Sequence, residues 1–82
     1  MSAELRHEDR LHIQNFSDAM LAAVVEDERR YVVLISLYEH AMDWLKANDR
    51  QTIPISSFLR LVKATGYKVT LNPKRVHSLT HR

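Results

Sequence analysis

GYKVTLNPKRVHSLTHR, residues 66–82, decides how this 82-residue chain is read. After Tyr67 it carries six Lys, Arg or His side chains and no acid. Tyr67, Val69 and Leu71 alternate with Lys68 and Thr70, the period-two pattern of a short strand. Asn72 and Pro73 follow as a helix-start signal, a capping side chain and then a ring that suits the first turn. On this reading residues 67–71 are one short strand, and residues 74–82 are a basic helix or frayed coil anchored by Val76 and Leu79. A lone strand must pair with something, and the same strand of a second copy is its natural partner.

Working back along the chain, Gly66 is the only glycine. It stands where a helix wants a left-handed residue after its last turn. The helix it ends is apolar at Ile55, Phe58, Leu59 and Val62 and polar at Ser57, Arg60 and Lys63, with Thr52 or Ser56 as cap and Pro54 in the first turn. NDRQTIPISS (48–57) is the connection before it. Tyr31–Asn48 is the longest helical pattern. Tyr31, Leu34, Ile35, Tyr38, Met42 and Leu45 form one stripe, and Val33, Leu37, Ala41 and Trp44 form a second beside it. An apolar surface this wide exceeds what one neighbouring helix covers, so the first stripe is the expected dimer or partner interface. Upstream, Asn15 or Ser17 caps a helix whose Phe16, Met20, Ala23 and Val24 share a face. Glu26–Arg30 reads as a polar turn or a solvated continuation. Residues 2–13 read as a short helix capped by Ser2. The expected architecture is mainly α: one domain over residues 1–82, with three to four helices and one short C-terminal strand, paired as a homodimer. Its parts are an N-terminal helix within 1–14, an acidic helical core over 15–48 and a basic half over 55–82.

Composition narrows the chemistry. The chain has no cysteine, so disulfides and thiolate metal sites are excluded, which fits a reducing compartment. Its start is charged rather than an apolar leader. The longest apolar runs, Met20–Val25 and Tyr31–Ile35, fall well short of the roughly 20 residues a membrane span needs. A cytoplasmic protein without membrane contact is expected. No nucleophile and base are placed to work together, and the adjacent Glu39 and His40 point apart on a helix. No GxxxxGK[ST] or GxGxxG motif is present. His77 and His81 have the i, i+4 spacing of metal ligands, but no carboxylate accompanies them and cations surround them, so they read as solvated. The expectation is therefore no catalytic residue, no metal and no cofactor.

Charge gives the strongest functional signal. All ten acids lie between Glu4 and Asp49, against five Lys and Arg, a net −5 for the first 49 residues. The last 33 residues carry seven Lys and Arg and no acid, a net +7. Such a split points to an anionic partner for the rear half. Interleaved cations and hydroxyls suit phosphate contacts, and the candidate nucleic-acid-binding residues are Ser57, Arg60, Lys63, Lys68, Lys74, Arg75, His77 and Arg82.

Two resemblances fall on the same half. ISSFLRLVKATGYKVTLNPK (55–74) resembles the closing segment of helix-turn-helix antitoxins, the antidotes of addiction modules. Leu59, Leu61, Val62, Gly66, Val69, Leu71, Pro73 and Lys74 follow that family's apolar helix, glycine turn and basic strand. DAMLAAVVEDERRYVVLISLYEHA (18–41) is loosely similar to its opening helices. Where the family carries a two-helix DNA reader between these segments, this chain has only KANDRQTIP. The resemblance thus implies dimerisation and partner binding more than base readout. LNPKRVHSLTHR (71–82) is similar to the NxKRVxRLMR helix of some insertion-sequence transposases, which implies Lys74 and Arg75 near phosphates at a helix start. His77 and Ser78 stand where an aromatic and an arginine are usual. The leading expectation is a small DNA-binding transcriptional regulator of antitoxin or phage-regulator type. The alternative is a phage-type inhibitor or adaptor that docks an acidic protein surface. A homodimer whose acidic and basic halves pair with each other is the third.

Overall fold

Arg75–His81 is a strand, and it lies at the centre of the sheet. The structure, a computed structural model describing residues 5–82, runs α1 (His7–Arg10), α2 (Ile13–Ala23), β1 (Val24–Val33), α3 (Leu34–Ala47), α4 (Ile55–Ala64), β2 (Val69–Thr70) and β3 (Arg75–His81). The strands form one antiparallel sheet in the order β1-β3-β2. The expected mainly α fold with one short strand is therefore corrected to a mixed one: the described residues form four helices against a three-stranded sheet, with 24% of them in strands. The strand expected to pair across a dimer pairs instead with β3 of its own chain, Val69 opposite Val76 and Thr70 opposite Arg75.

The Asn-Pro pair opens a turn rather than a helix. Asn72 has φ 64°, and the Asn72–Pro73 peptide is cis. Asparagine tolerates the left-handed region better than most residues, so it reverses the chain between β2 and β3. The reading of residues 74–82 as helix or coil, and with it the transposase-like helix, is corrected. Val76 and Leu79 are buried at 0% and 1% exposure, as parts of the main core and not as anchors of a tail.

β1 joins α2 to α3 with no loop at either end. Val24, Val25, Val32 and Val33 supply the β-branched side chains that favour the pleated backbone. The register is Val24 to His81, Val25 to Thr80 and Glu26 to Leu79, then Tyr31 to His77, Val32 to Val76 and Val33 to Arg75. Between the two blocks, Asp27–Arg30 face only Ser78, which has φ 68°. The extra residues bow out of the ladder as a long bulge. The expected turn over Glu26–Arg30 is thus part of β1, and the long helix begins at Leu34 rather than Tyr31. At the front, α1 is only four residues long, and the expected cap Ser2 lies outside the described residues.

Both long connections end helices by known chemistry. After α3, Asp49 takes φ 60°, its N–H donates to the Lys46 carbonyl at 3.1 Å, and the Arg50 N–H donates to the Leu45 carbonyl at 2.8 Å. This is the Schellman pairing, with Asp in the place usually held by Gly. After α4, Gly66 has φ 99° and donates to the Lys63 carbonyl at 3.0 Å. The helices pack on the inner face of the sheet around Phe58. Its ring meets those of Phe16 and Tyr38 edge-on, with centroids 5.3 and 5.2 Å away, the favoured geometry for aromatic pairs. The expected interface stripe is therefore mostly internal. Leu34, Met42 and Leu45 are buried, and Tyr38 packs on the core while its hydroxyl donates to the Ile53 carbonyl. Only Tyr31 and Ile35 of that stripe are half exposed. No helix among the described residues is long and apolar enough to cross a membrane.

Candidate nucleic-acid interface on the outer sheet face

Strand side chains alternate between faces. With Val32, Val69 and Val76 turned to the core, their neighbours Tyr31, Val33, Lys68, Thr70, Arg75 and His77 project to the other side. The topology thus collects residues from three separate stretches of sequence on one surface. Tyr31 stands in the middle of it. The Arg75 guanidinium lies 4.8 Å from the Tyr31 ring centroid, and the His77 ring lies 5.7 Å from it, tilted by 45°. His77 Nε2 meets Thr70 Oγ1 at 2.8 Å, and the His77 N–H donates to the Lys68 carbonyl at 2.9 Å, holding the start of the hairpin against β3.

A guanidinium over an aromatic face is attracted by the ring quadrupole, worth about 0.5–1 kcal/mol at an exposed site. More usefully, it fixes the Arg75 plane and so reduces the freedom lost when a ligand is bound. The Arg75 Nε is buried and without a hydrogen-bond partner among the described residues. Arg29 and Arg30, from the bowed part of β1, border the same surface and line a shallow hollow with Asp27, Tyr31 and Thr80, about 750 Å³ in volume. Arg30 is paired with Asp27 at 3.4 Å. Among the described residues, no side-chain nitrogen of Arg29, Lys68, Lys74 or Arg75 lies within 4.0 Å of a carboxylate, although the Arg29 backbone N–H donates to Asp27 Oδ1 at 3.1 Å.

The eight residues expected at a nucleic-acid face thus divide. Lys68, Arg75 and His77 share the outer sheet face, and Lys74 is exposed in the adjoining turn. Ser57 is buried. Arg60 is turned inward: its Nε and Nη2 donate to the two Asp9 carboxylate oxygens at 2.6 and 2.9 Å, and Glu8 lies 3.4 Å away. Asp9 is fully buried and also accepts the Arg6 N–H at 2.9 Å. The Arg60 hydrogen bonds hold its carboxyl well below the usual carboxylate range, and the same contact raises the Arg60 guanidinium. Lys63 is exposed on α4, and Arg82 lies beyond the far end of β3, donating from Nε to the Leu21 carbonyl at 2.7 Å. Of the remaining rear cations, Arg50 pairs with Asp18 at 2.9 Å and holds that carboxyl below its ordinary value. Part of the charge split along the chain is therefore cancelled within one molecule. Sequence reasoning missed Arg29, Tyr31 and Thr70 as members of this surface. The available signal was the apolar–polar alternation of Arg75, Val76 and His77.

The two tail histidines, spaced as ligands on a helix, lie on opposite faces of a strand. His81 faces α3, where its Nδ1 meets His40 Nδ1 at 2.9 Å and its Nε2 meets Ser36 Oγ at 3.4 Å. Burial first, then the neighbouring His40, push the His81 imidazole below its ordinary value. Among the described residues no three His, Asp or Glu side chains gather as a metal site would require. No family model, curated protein or solved structure matches the chain.

Proposed function

We propose that this protein is a small DNA-binding regulator that grips the phosphate backbone with the outer face of its sheet and the adjoining hairpin turn. The observation that carries the reading is the meeting of Arg75 and His77 at Tyr31, with Lys68 bonded through its carbonyl to His77, Lys74 and Arg29 at the margins, and, among the described residues, no carboxylate paired to the side chains of these four cations. The arrangement favours positioning contacts over sequence reading. The exposed residues of α4 are Ile55, Ser56, Lys63 and Ala64, a poor set for pairing with base edges, and Arg60 is occupied by Asp9. Two consecutive helices followed by a hairpin resemble a helix-turn-helix reader flanked by a β-ribbon, and the antitoxin-like stretch 55–74 covers that second helix, β2 and the turn before β3. This part of the support is analogy of fold.

The test is fluorescence anisotropy with a labelled DNA duplex across a salt series. Neutralising four phosphates with Arg29, Lys68, Lys74 and Arg75 gives a slope of log K against log[salt] of about −3.6. Arg75→Ala and Lys68→Ala each make it shallower by about 0.9, while Lys46→Ala at the far end of α3 leaves it unchanged. Absence of salt-sensitive binding below ~100 µM, the weak end of non-specific affinities, overturns the proposal.

A further inference from the structure

Beside the basic face lies a cleft of the opposite character. It is about 440 Å³ in volume, and its walls are the first turns of α3 and α4 and the β2–β3 turn. Ile35, Ile55, Leu59 and Pro73 line it, with Lys74 at its mouth. Ile35 and Ile55 are 51% and 45% exposed, and Leu71, two residues before Pro73, is 68% exposed. Large apolar side chains gathered in one concave patch are the usual mark of a protein-binding surface. A cavity of roughly 150 Å³ accommodates a benzene ring, so the cleft takes two or three large apolar side chains.

The charge around it selects the occupant. α3 and α4 both begin at this cleft, with Leu34 and Ile55 as their first residues. Neither has a side-chain cap, and neither has an acid in its first turn. The Leu34 N–H donates to the Lys74 carbonyl at 2.8 Å, but among the described residues no carboxylate offsets the partial positive end of either helix in its first turn, and the Lys74 side chain adds a full charge. A second copy docked cleft to cleft on a two-fold axis would set these positive groups against their own equivalents. A nucleic acid would give up phosphate hydration to reach an apolar floor. An acidic amphipathic helix meets both halves of the surface at once.

We infer that this cleft docks a partner's amphipathic helix, with apolar side chains at i, i+3 or i+4 and i+7 filling the pocket and Asp or Glu side chains meeting Lys74 and the two helix ends. Occupancy also places carboxylates next to Arg75, so the partner and a polyanion on the sheet face compete.

The experiment uses the full chain and three labelled synthetic peptides: a helical Leu- and Glu-rich amphipathic peptide, its scramble, and a version with Lys in place of Glu. Anisotropy gives affinities, and amide shifts of the protein locate the site. The amphipathic acidic peptide is expected to bind saturably and to shift residues 33–35, 55–59 and 73–74. The scramble and the Lys version bind at least tenfold more weakly. Ile35→Glu and Ile55→Glu, both at exposed positions, each weaken the acidic peptide at least tenfold with unchanged circular dichroism. Lys74→Glu weakens it and improves the Lys version. Equal binding of acidic peptide and scramble, or shifts centred on Arg75 and His77, overturns the inference in favour of simple charge attraction. Sedimentation showing a dimer that Ile35→Glu dissociates overturns it in favour of a second copy. Loss of DNA affinity in the uncharged variants Ile35→Ser and Ile55→Ser overturns it in favour of nucleic acid, whereas failure of DNA binding alone, with the peptide results intact, counts only against the proposed function.

Discussion

Leu79→Ala separates a structural strand from a basic tail. Leu79 is 1% exposed and belongs to the same buried cluster as Phe16, Val24 and Val76. Truncating a fully buried leucine removes its transfer free energy and leaves a cavity, together about 2–5 kcal/mol. A chain of this size has a total stability of roughly 4–12 kcal/mol, so the variant loses a large share of it. Taking 3 kcal/mol as a middle value, and about 4–8 °C per kcal/mol for a domain this small, the melting temperature falls by roughly 12–24 °C. A side chain in a solvated tail would change stability by no more than about 0.5 kcal/mol. Thermal and urea unfolding followed by Trp44 fluorescence and circular dichroism measure the effect. Leu71→Ala, at a 68% exposed turn position, is the matched control and is expected to stay close to the parent. A Leu79→Ala melting point within about 3 °C of the parent would refute both the central placement of β3 and the sheet face built on it.

Two further outcomes concern pH. Asp9 has its folded carboxyl pushed below its ordinary value, first by the Arg60 hydrogen bonds. It therefore contributes stability above about pH 4 that is lost as the pH falls below that. Asp9→Asn should lower the urea midpoint at pH 7 and flatten its decline between pH 5 and pH 2.5; equal acid declines in parent and variant would contradict the assignment. His81 is depressed below 6.5 by burial and by His40. The unfolded chain then takes up a proton that the folded chain resists, so stability falls as the pH drops below 6.5. His40→Asn should lessen the fall in melting temperature between pH 7 and pH 5, and a fall as steep as the parent's would count against the coupling.

The helical parts were legible because their signals are local. Phe16 and Met20 mark α2, the Leu34–Leu45 spacing marks α3, and Ile55–Val62 with Gly66 marks α4 and its end. The sheet was hidden by two coincidences of spacing. Tyr31 keeps helical period with Leu34, Ile35 and Tyr38, although the backbone changes from strand to helix at Val33–Leu34, where no Gly or Pro marks the boundary. On β3, the left-handed Ser78 adds a residue between Val76 and Leu79. Two inward positions therefore sit three apart, as on a helix, when a regular strand would space them by two. Local spacing carries no record of a partner strand some 50 residues away, and that pairing alone places Tyr31 beside His77. The basic character of the site was visible in composition. The withdrawal of Arg60 and Arg50 was not, because their partners Asp9 and Asp18 lie in the opposite half of the chain.

The bowed stretch of β1 also bears on how the molecule avoids its own kind. β1 is ten residues long and its neighbour β3 is seven, and β1 forms one outer margin of the sheet. A long, flat, valine-rich margin would invite other chains to add to it. The charged detour through Asp27, Glu28, Arg29 and Arg30 breaks that margin into two short stretches, each too brief to template a fibril. Excising three residues of the detour would equalise the strands and restore an unbroken ribbon of Val24, Val25, Tyr31, Val32 and Val33, an edge more prone to add further chains.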